Sequence, residues 1–231
     1  MKILGIDSSG LTASAAVING DTVIAEFTVN NKKTHSQTLL SMIEKVVAMS
    51  EIPLEELDAV AVAAGPGSFT GLRIGSATAK GIGLALKKPI IPVPTLEGLA
   101  YRVAVSDALI CPMMDARRDQ VYTGLYRRKK SGLEIVQAQE AVAISEITEQ
   151  INEFAEPVLF LGDGIPVQEK YLEENLKVPY EFAPMHLNRQ GAAAVAALGS
   201  VYFAEGRAET AAEHKPVYLR KSQAEREREN A

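Results

Sequence analysis

The chain has 231 residues, 47% of them hydrophobic, with a formal net charge of -5, one cysteine and no tryptophan. That length allows one large domain or two small ones around a substantial core, and the acidic balance argues against a dedicated nucleic-acid binder, leaving only a local basic patch. The single Cys111 excludes an intramolecular disulfide and a multi-cysteine metal site, which fits a reducing cytoplasm. Residues 1–7 are too short for a signal core, and no apolar run reaches about 18 residues, so neither a membrane span nor a membrane partner is expected.

Three short β-like runs open the chain at residues 2–8, 12–19 and 22–29, separated by hairpin turns at Ser9-Gly10-Leu11 and Gly20-Asp21. Residues 34–50 read as a helix, with Thr34 or Ser36 as N-cap and Pro53 just beyond its end. The apolar run 57–64 reads as a buried parallel strand. It leads through Gly65-Pro66-Gly67-Ser68-Phe69-Thr70-Gly71 into a helix at 70–87. A short strand at 89–93 and a helix at 95–103 complete the first half.

The glycine-rich turn organises this half. Glycines between a strand and a helix N-terminus expose backbone N–H groups suited to an anion such as phosphate. Gly65, Gly67 and Gly71 give GxGxxxG, however, which departs from the dinucleotide fingerprint, and no GxxxxGK[ST] occurs. The competing account is a tight turn whose glycines let the helix approach the sheet, and the residues alone favour it slightly.

From residue 106 the order repeats. Residues 108–115, 120–127 and 133–141 read as strands, 145–154 as a helix capped by Ser145, and 157–162 as a strand. A helix at 167–176, a weak strand at 178–183 and an alanine-rich helix at 188–205, with Asn188 as N-cap, follow. Thus βββαβαβα occurs twice, which implies an internal duplication with lobes 1–105 and 106–231, and a mixed-charge tail at 221–231 expected to be disordered. Two such lobes describe an α/β chain of the actin-like ATPase, ribonuclease H-like fold, with a cleft between lobes. The first hairpin, with Asp7, Ser8, Ser9 and Thr12, suits phosphate or magnesium contact. The matching Asp115-Ala116-Arg117-Arg118-Asp119 has no glycine and two bulky cations, so the cleft looks half-equipped. The candidate phosphate- or nucleotide-binding set is Asp7, Ser8, Ser9, Thr12, Gly65, Pro66, Gly67 and Ser68.

Ile6-Asp7-Ser8-Ser9, Thr34-His35-Ser36-Gln37, residues 65–75, residues 115–122 and Pro216-Val217-Tyr218-Leu219-Arg220 together resemble the TsaB (YeaZ) family. The resemblance is strong over the first ~125 residues and looser beyond. It implies an actin-like fold and a part in making threonylcarbamoyladenosine beside the anticodon of tRNAs that read codons starting with A. In that family TsaB is the non-catalytic partner of TsaD, working with the ATPase TsaE, while TsaC supplies threonylcarbamoyl-adenylate. No tightly bound cofactor is implied, with ATP or ADP a candidate at the interface of the complex and tRNA met only indirectly. TsaD carries a His-x-x-x-His metal pair where this chain has Thr95 and Leu99. Leucine cannot bind a metal and threonine alone is a poor ligand, so the metal site is read as lost and the chain as a pseudoenzyme. His35, His186 and His214 are too scattered to rebuild a site, and His35 reads as a cap or interface residue.

Two helices suggest where a partner docks. Leu39, Leu40, Met42, Ile43, Val46, Val47 and Met49 span roughly 180° of the 34–50 helix, more than one packing partner needs. The sheet and a neighbouring helix are an equal alternative for that surplus. Gly71, Gly75, Ala79 and Gly83 form a smooth i+4 ridge on the next helix, read as outward-facing. The surface is assigned to His35, Leu39, Leu40, Ile43, Arg73, Gly75 and Ala79, for TsaD or, in its absence, a second copy. An actin-like small-molecule kinase is the alternative function, and a metallopeptidase is disfavoured for want of zinc ligands. Arg117, Arg118, Arg127, Arg128, Lys129 and Lys130 are read as a solvated face in preference to a tRNA contact.

Overall fold

A computed structural model describes residues 1–31, 33–104 and 106–220. The expected disordered tail lies outside the described residues.

Two five-stranded sheets share one topology. In the first, β1 (Lys2–Asp7), β2 (Ala13–Asn19), β3 (Thr22–Val29), β4 (Ala59–Gly65) and β5 (Ile90–Pro94) lie in the order β3-β2-β1-β4-β5. In the second, β6 (Leu109–Arg117), β7 (Gln120–Lys129), β8 (Gly132–Ala143), β9 (Val158–Leu161) and β10 (Tyr180–Phe182) lie as β10-β9-β6-β7-β8. Matching each strand to its counterpart five places on reproduces the whole pattern, including an antiparallel meander joined to parallel strands. The duplication expected from the element order is therefore present in space. β4 is buried along its entire length because both faces of the sheet are covered, which explains its unbroken apolar sequence.

Helices α1 (His35–Ser50) and α2 (Phe69–Leu86) cover one face of the first sheet, where Leu39, Met42, Ile43 and Val46 meet Leu4, Ile6, Val60 and Val62. The second sheet carries α4 (Ile144–Phe154) and α5 (Ile165–Asn175) in the same way. The third helix of each half crosses over. α3 (Thr95–Ala100) places Leu96, Leu99 and Ala100 against Ile110, Met114, Tyr126 and Leu161 of the second lobe. α6 (Ala192–Ala204) places Val195, Leu198 and Tyr202 against Ile3, Ala61, Ile91 and Val93 of the first. Its alanine-rich, nearly all-apolar sequence suits a helix enclosed on several sides. At the joint, the Tyr202 hydroxyl donates to buried Glu97 of α3, and the Arg207 guanidinium lies 3.4 Å over the Tyr202 ring.

Two capping assignments are corrected. The 145–154 helix starts at Ile144 with Ala143 in the cap position, so Ser145 lies inside its first turn. The last helix starts at Ala192, not near Asn188, because its first N–H groups are met from the other lobe. Ser14 Oγ accepts from Ala192 (2.9 Å) and Glu26 Oε1 from Ala193 (3.0 Å), so no local cap is needed. Among the described residues, no helix is long and apolar enough to cross a membrane.

Candidate functional site

Between the lobes lies a cleft of about 830 Å³. Its first wall is the turn after β1. Asp7 ends that strand, 2% exposed, and its Oδ1 accepts from the Ser9 amide (2.9 Å) and hydroxyl (2.6 Å), which folds the chain back into β2. Burial pushes the Asp7 carboxyl up to about 6, an effect that the Ser9 hydrogen bonds and Arg102 partly offset. Across the cleft, burial also raises the carboxyl of Asp163, offset by Arg189 and the Leu11 amide.

The glycine-rich turn is stitched to this wall. Ser68 donates its amide to the Ser9 carbonyl (2.7 Å), and Ser8 Oγ donates to the Gly71 carbonyl (2.9 Å). A Cβ on Gly71 would overlap the Ser8 carbonyl oxygen, and one on Gly67 would overlap that of Ser9. Gly65, at φ +125°, has its amide held by Thr95 Oγ1 (3.2 Å) and its carbonyl by Gln139 Nε2 of the second lobe (3.1 Å). The amides of Ser68, Gly71 and Leu72 all donate within the protein, Gly71 to the Ser68 hydroxyl that caps α2. These glycines thus do what the tight-turn account requires, bringing α2 against the β1 turn.

Of the eight sequence-assigned cleft residues, Ser9, Gly67 and Ser68 line the cavity, while Asp7, Ser8, Thr12, Gly65 and Pro66 are buried behind that surface. The sequence reading missed Tyr122, Asp163, Tyr218 and Arg220, which also line it. Asp163 was within reach: Gly162-Asp163-Gly164 comes at the end of β9 as Gly65-Pro66-Gly67 comes at the end of β4, so superposing the two halves marks it. The second hairpin sends Arg117 into the cleft from a turn in which Arg117, Arg118 and Asp119 all have positive φ.

Thr95 and Leu99 are 1% and 2% exposed, one holding Gly65 and the other packed in the interlobe core. His35 Nε2 lies 2.9 Å from the Gly10 carbonyl, tying α1 to the first hairpin.

The smooth ridge is corrected. Gly71, Gly75, Ala79 and Gly83 are all buried and face the sheet, with Ser8 Oγ in the place of a Gly75 Cβ and Ile90 Cδ1 2.8 Å from that of Gly83. Leu39 and Ile43 are core, at 1% and 2% exposure. Neither these two nor Gly75 and Ala79 can therefore meet a partner directly. A different stripe of α2 faces out: Thr70, Arg73, Ala77, Gly81, Leu84 and Ala85 are exposed, and nothing lies within 4 Å of a Cβ on Gly81. On α1, Leu40 (66%) and Met49 (78%) are exposed although apolar, on opposite flanks of the helix.

Two like lobes, third helices exchanged across a cleft, and a glycine turn docked on the β1 hairpin define a protein of the actin-like ATPase fold. A family model described as "TsaD: tRNA N6-adenosine threonylcarbamoyltransferase" matches residues 22–228. The chain is 40% identical over 176 residues to the tRNA threonylcarbamoyladenosine biosynthesis protein TsaB of Bacillus subtilis (strain 168), covering 76% of this chain and 77% of that protein. The protein of the same name from Escherichia coli (strain K12) is 30% identical over 223 residues, 95% of each chain. Among solved structures, a Pseudomonas aeruginosa protein described as similar to peptidase YEAZ superposes with a TM-score of 0.81 at 24% identity, covering 95% of this chain and 99% of that one. The chain belongs to the TsaB family, within the wider group that the TsaD model describes.

Proposed function

We propose that the protein is a non-catalytic subunit for threonylcarbamoyladenosine formation on tRNA, pairing with a TsaD-type transferase and assisted by TsaE, in the cytoplasm. The observation that carries this reading is family membership: the Bacillus subtilis relative, at 40% identity, is by name a biosynthesis protein of this modification. Two features support the pairing and the loss of catalysis. Thr95 and Leu99 stand where the transferase places its metal ligands, and both are committed to packing. The outer stripe of α2 is small and smooth at Ala77, Gly81 and Ala85, so a partner helix can approach it closely, and the neighbouring α1 exposes the apolar Leu40. A second copy would use the same surface when the transferase is absent. ATP or ADP belongs to the interface of the complex, with no cofactor held tightly by this chain alone.

The test is reconstitution of the modification from purified TsaC-, TsaD- and TsaE-type proteins, with the product nucleoside measured by mass spectrometry. Omitting this chain is expected to abolish or sharply lower the yield, and the chain alone is expected to transfer nothing. Full-rate modification without it contradicts the reading. Metal analysis of the untagged protein is expected to show well under one equivalent of zinc or iron, and a chelator-resistant full equivalent would overturn the pseudoenzyme assignment.

A further inference from the structure

We propose that residues 209–220 form a strap that locks the two lobes together, so that release of the strap and opening of the cleft are one event. The strap starts on the outer edge of the first sheet, where Glu209 and Ile90 exchange both backbone hydrogen bonds at 2.9 Å. It then runs along the flank of α2. Lys80 Nζ donates to the carbonyls of Ala212 (3.2 Å) and His214 (2.9 Å). His214 is 1% exposed, with Nδ1 2.6 Å from Glu209 Oε1 and Nε2 2.9 Å from Ser76 Oγ. That order of groups resembles a nucleophile–base–acid relay, but Ser76 is itself 3% exposed, closed to any substrate. Its work is to pin the strap on the first lobe.

Beyond His214 the strap passes over the glycine turn. The Val217 amide donates to the Ala64 carbonyl (2.7 Å), and the Val217 carbonyl oxygen fills the space that a Gly65 Cβ would need. The Tyr218 ring lies 4.5 Å from that of Phe69, with Arg73 Nε 3.3 Å from the Tyr218 hydroxyl. Tyr218, Leu219 and Arg220 then line the cleft, and the Arg220 guanidinium donates to the Ala116 carbonyl on β6. One segment thus spans the first sheet, α2, the glycine turn and the second lobe. Gly65 is the node: it is held by Thr95 from its own lobe, by Gln139 from the other, and covered by the strap.

The chain has no tryptophan, so Tyr218→Trp places the only indole of the variant at the strap, where its emission can be followed apart from that of the tyrosines. Arg220→Ala in that background removes the contact to the second lobe without touching the core, and His214→Ala removes the pin on the first. Each is expected to raise acrylamide quenching of the introduced indole. Each is also expected to speed hydrogen exchange at the Val217, Ser68 and Gly71 amides by about tenfold, the effect of losing one hydrogen bond. Circular dichroism shows whether the domain stays folded. If Arg220→Ala leaves quenching and all three exchange rates at the parent values, the strap does not bridge the lobes. If only Val217 responds, strap release is not coupled to the cleft wall, and the proposal also fails. Should His214→Ala not fold, Arg220→Ala decides alone.

Discussion

Replacing Gly71 by alanine is expected to destabilise the fold by about 3 kcal/mol or more, lowering the melting temperature by roughly 6–12 °C. The added methyl meets the Ser8 carbonyl oxygen, a backbone atom fixed in turn by the β1 hairpin. Relief requires moving α2 off the sheet or pulling Ser8 from its bond to the Gly71 carbonyl, and either change loosens the wall of the cleft. Gly81→Ala, further along the same helix, is the control. Nothing lies within 4 Å of its added Cβ, so the change gains helix propensity, about 1 kcal/mol. Thermal melts of the two variants should move in opposite directions. Equal, small shifts would mean that α2 does not sit on the β1 turn as described.

Asp7→Asn is expected to stabilise the protein near neutrality by about 3 kcal/mol, because the ionised carboxylate is held in a buried site. The sign follows from the raised value, from 3.8 to about 6, set mainly by burial. Below the unfolded value Asp7 is protonated in both states and carries no cost. As pH rises from about 4 to 6 the unfolded chain releases its proton first, so the native state loses stability relative to it. Above about 6 the full cost is present. Asparagine keeps an oxygen that accepts from the Ser9 amide and hydroxyl, so the turn is preserved. Urea unfolding of both proteins across this range isolates the effect, since other titrating groups cancel in the difference. The gap should be widest at about pH 7 and close by about pH 3, below the unfolded value. A gap that is constant with pH, or a less stable variant near neutrality, would show that burial does not govern this carboxyl.

The element order was readable because its signals are local. Alternation, glycine turns and buried apolar runs each occupy fewer than about ten residues, and their repetition after residue 106 exposed the duplication. The facing of α2 was not readable. Small residues recur every four positions on two stripes, Gly71-Gly75-Ala79-Gly83 and Ala77-Gly81-Ala85, and only the position of the sheet decides which points inward. The over-wide apolar arc of α1 was similarly ambiguous. Leu39, Met42, Ile43 and Val46 proved to be core, leaving Leu40 and Met49 as the true surplus. The cap of α6 comes from Ser14 and Glu26 in the first hairpin, far beyond any local reading. The residues of the strap follow no period, so their contacts with α2 and the cleft left no pattern in the chain.

Under the proposed function the chain acts by pairing through the outer faces of α1 and α2. Light scattering of the purified chain mixed with a TsaD-type partner tests it most directly, comparing wild type with Gly81→Arg and Leu40→Glu. Both positions are exposed, so both variants should keep their dichroism and cooperative melting while their association with the partner falls at least about tenfold, the loss that about 1.4 kcal/mol produces. If both fold and still form the complex at wild-type affinity, the pairing surface lies elsewhere and the assignment of these helices is wrong.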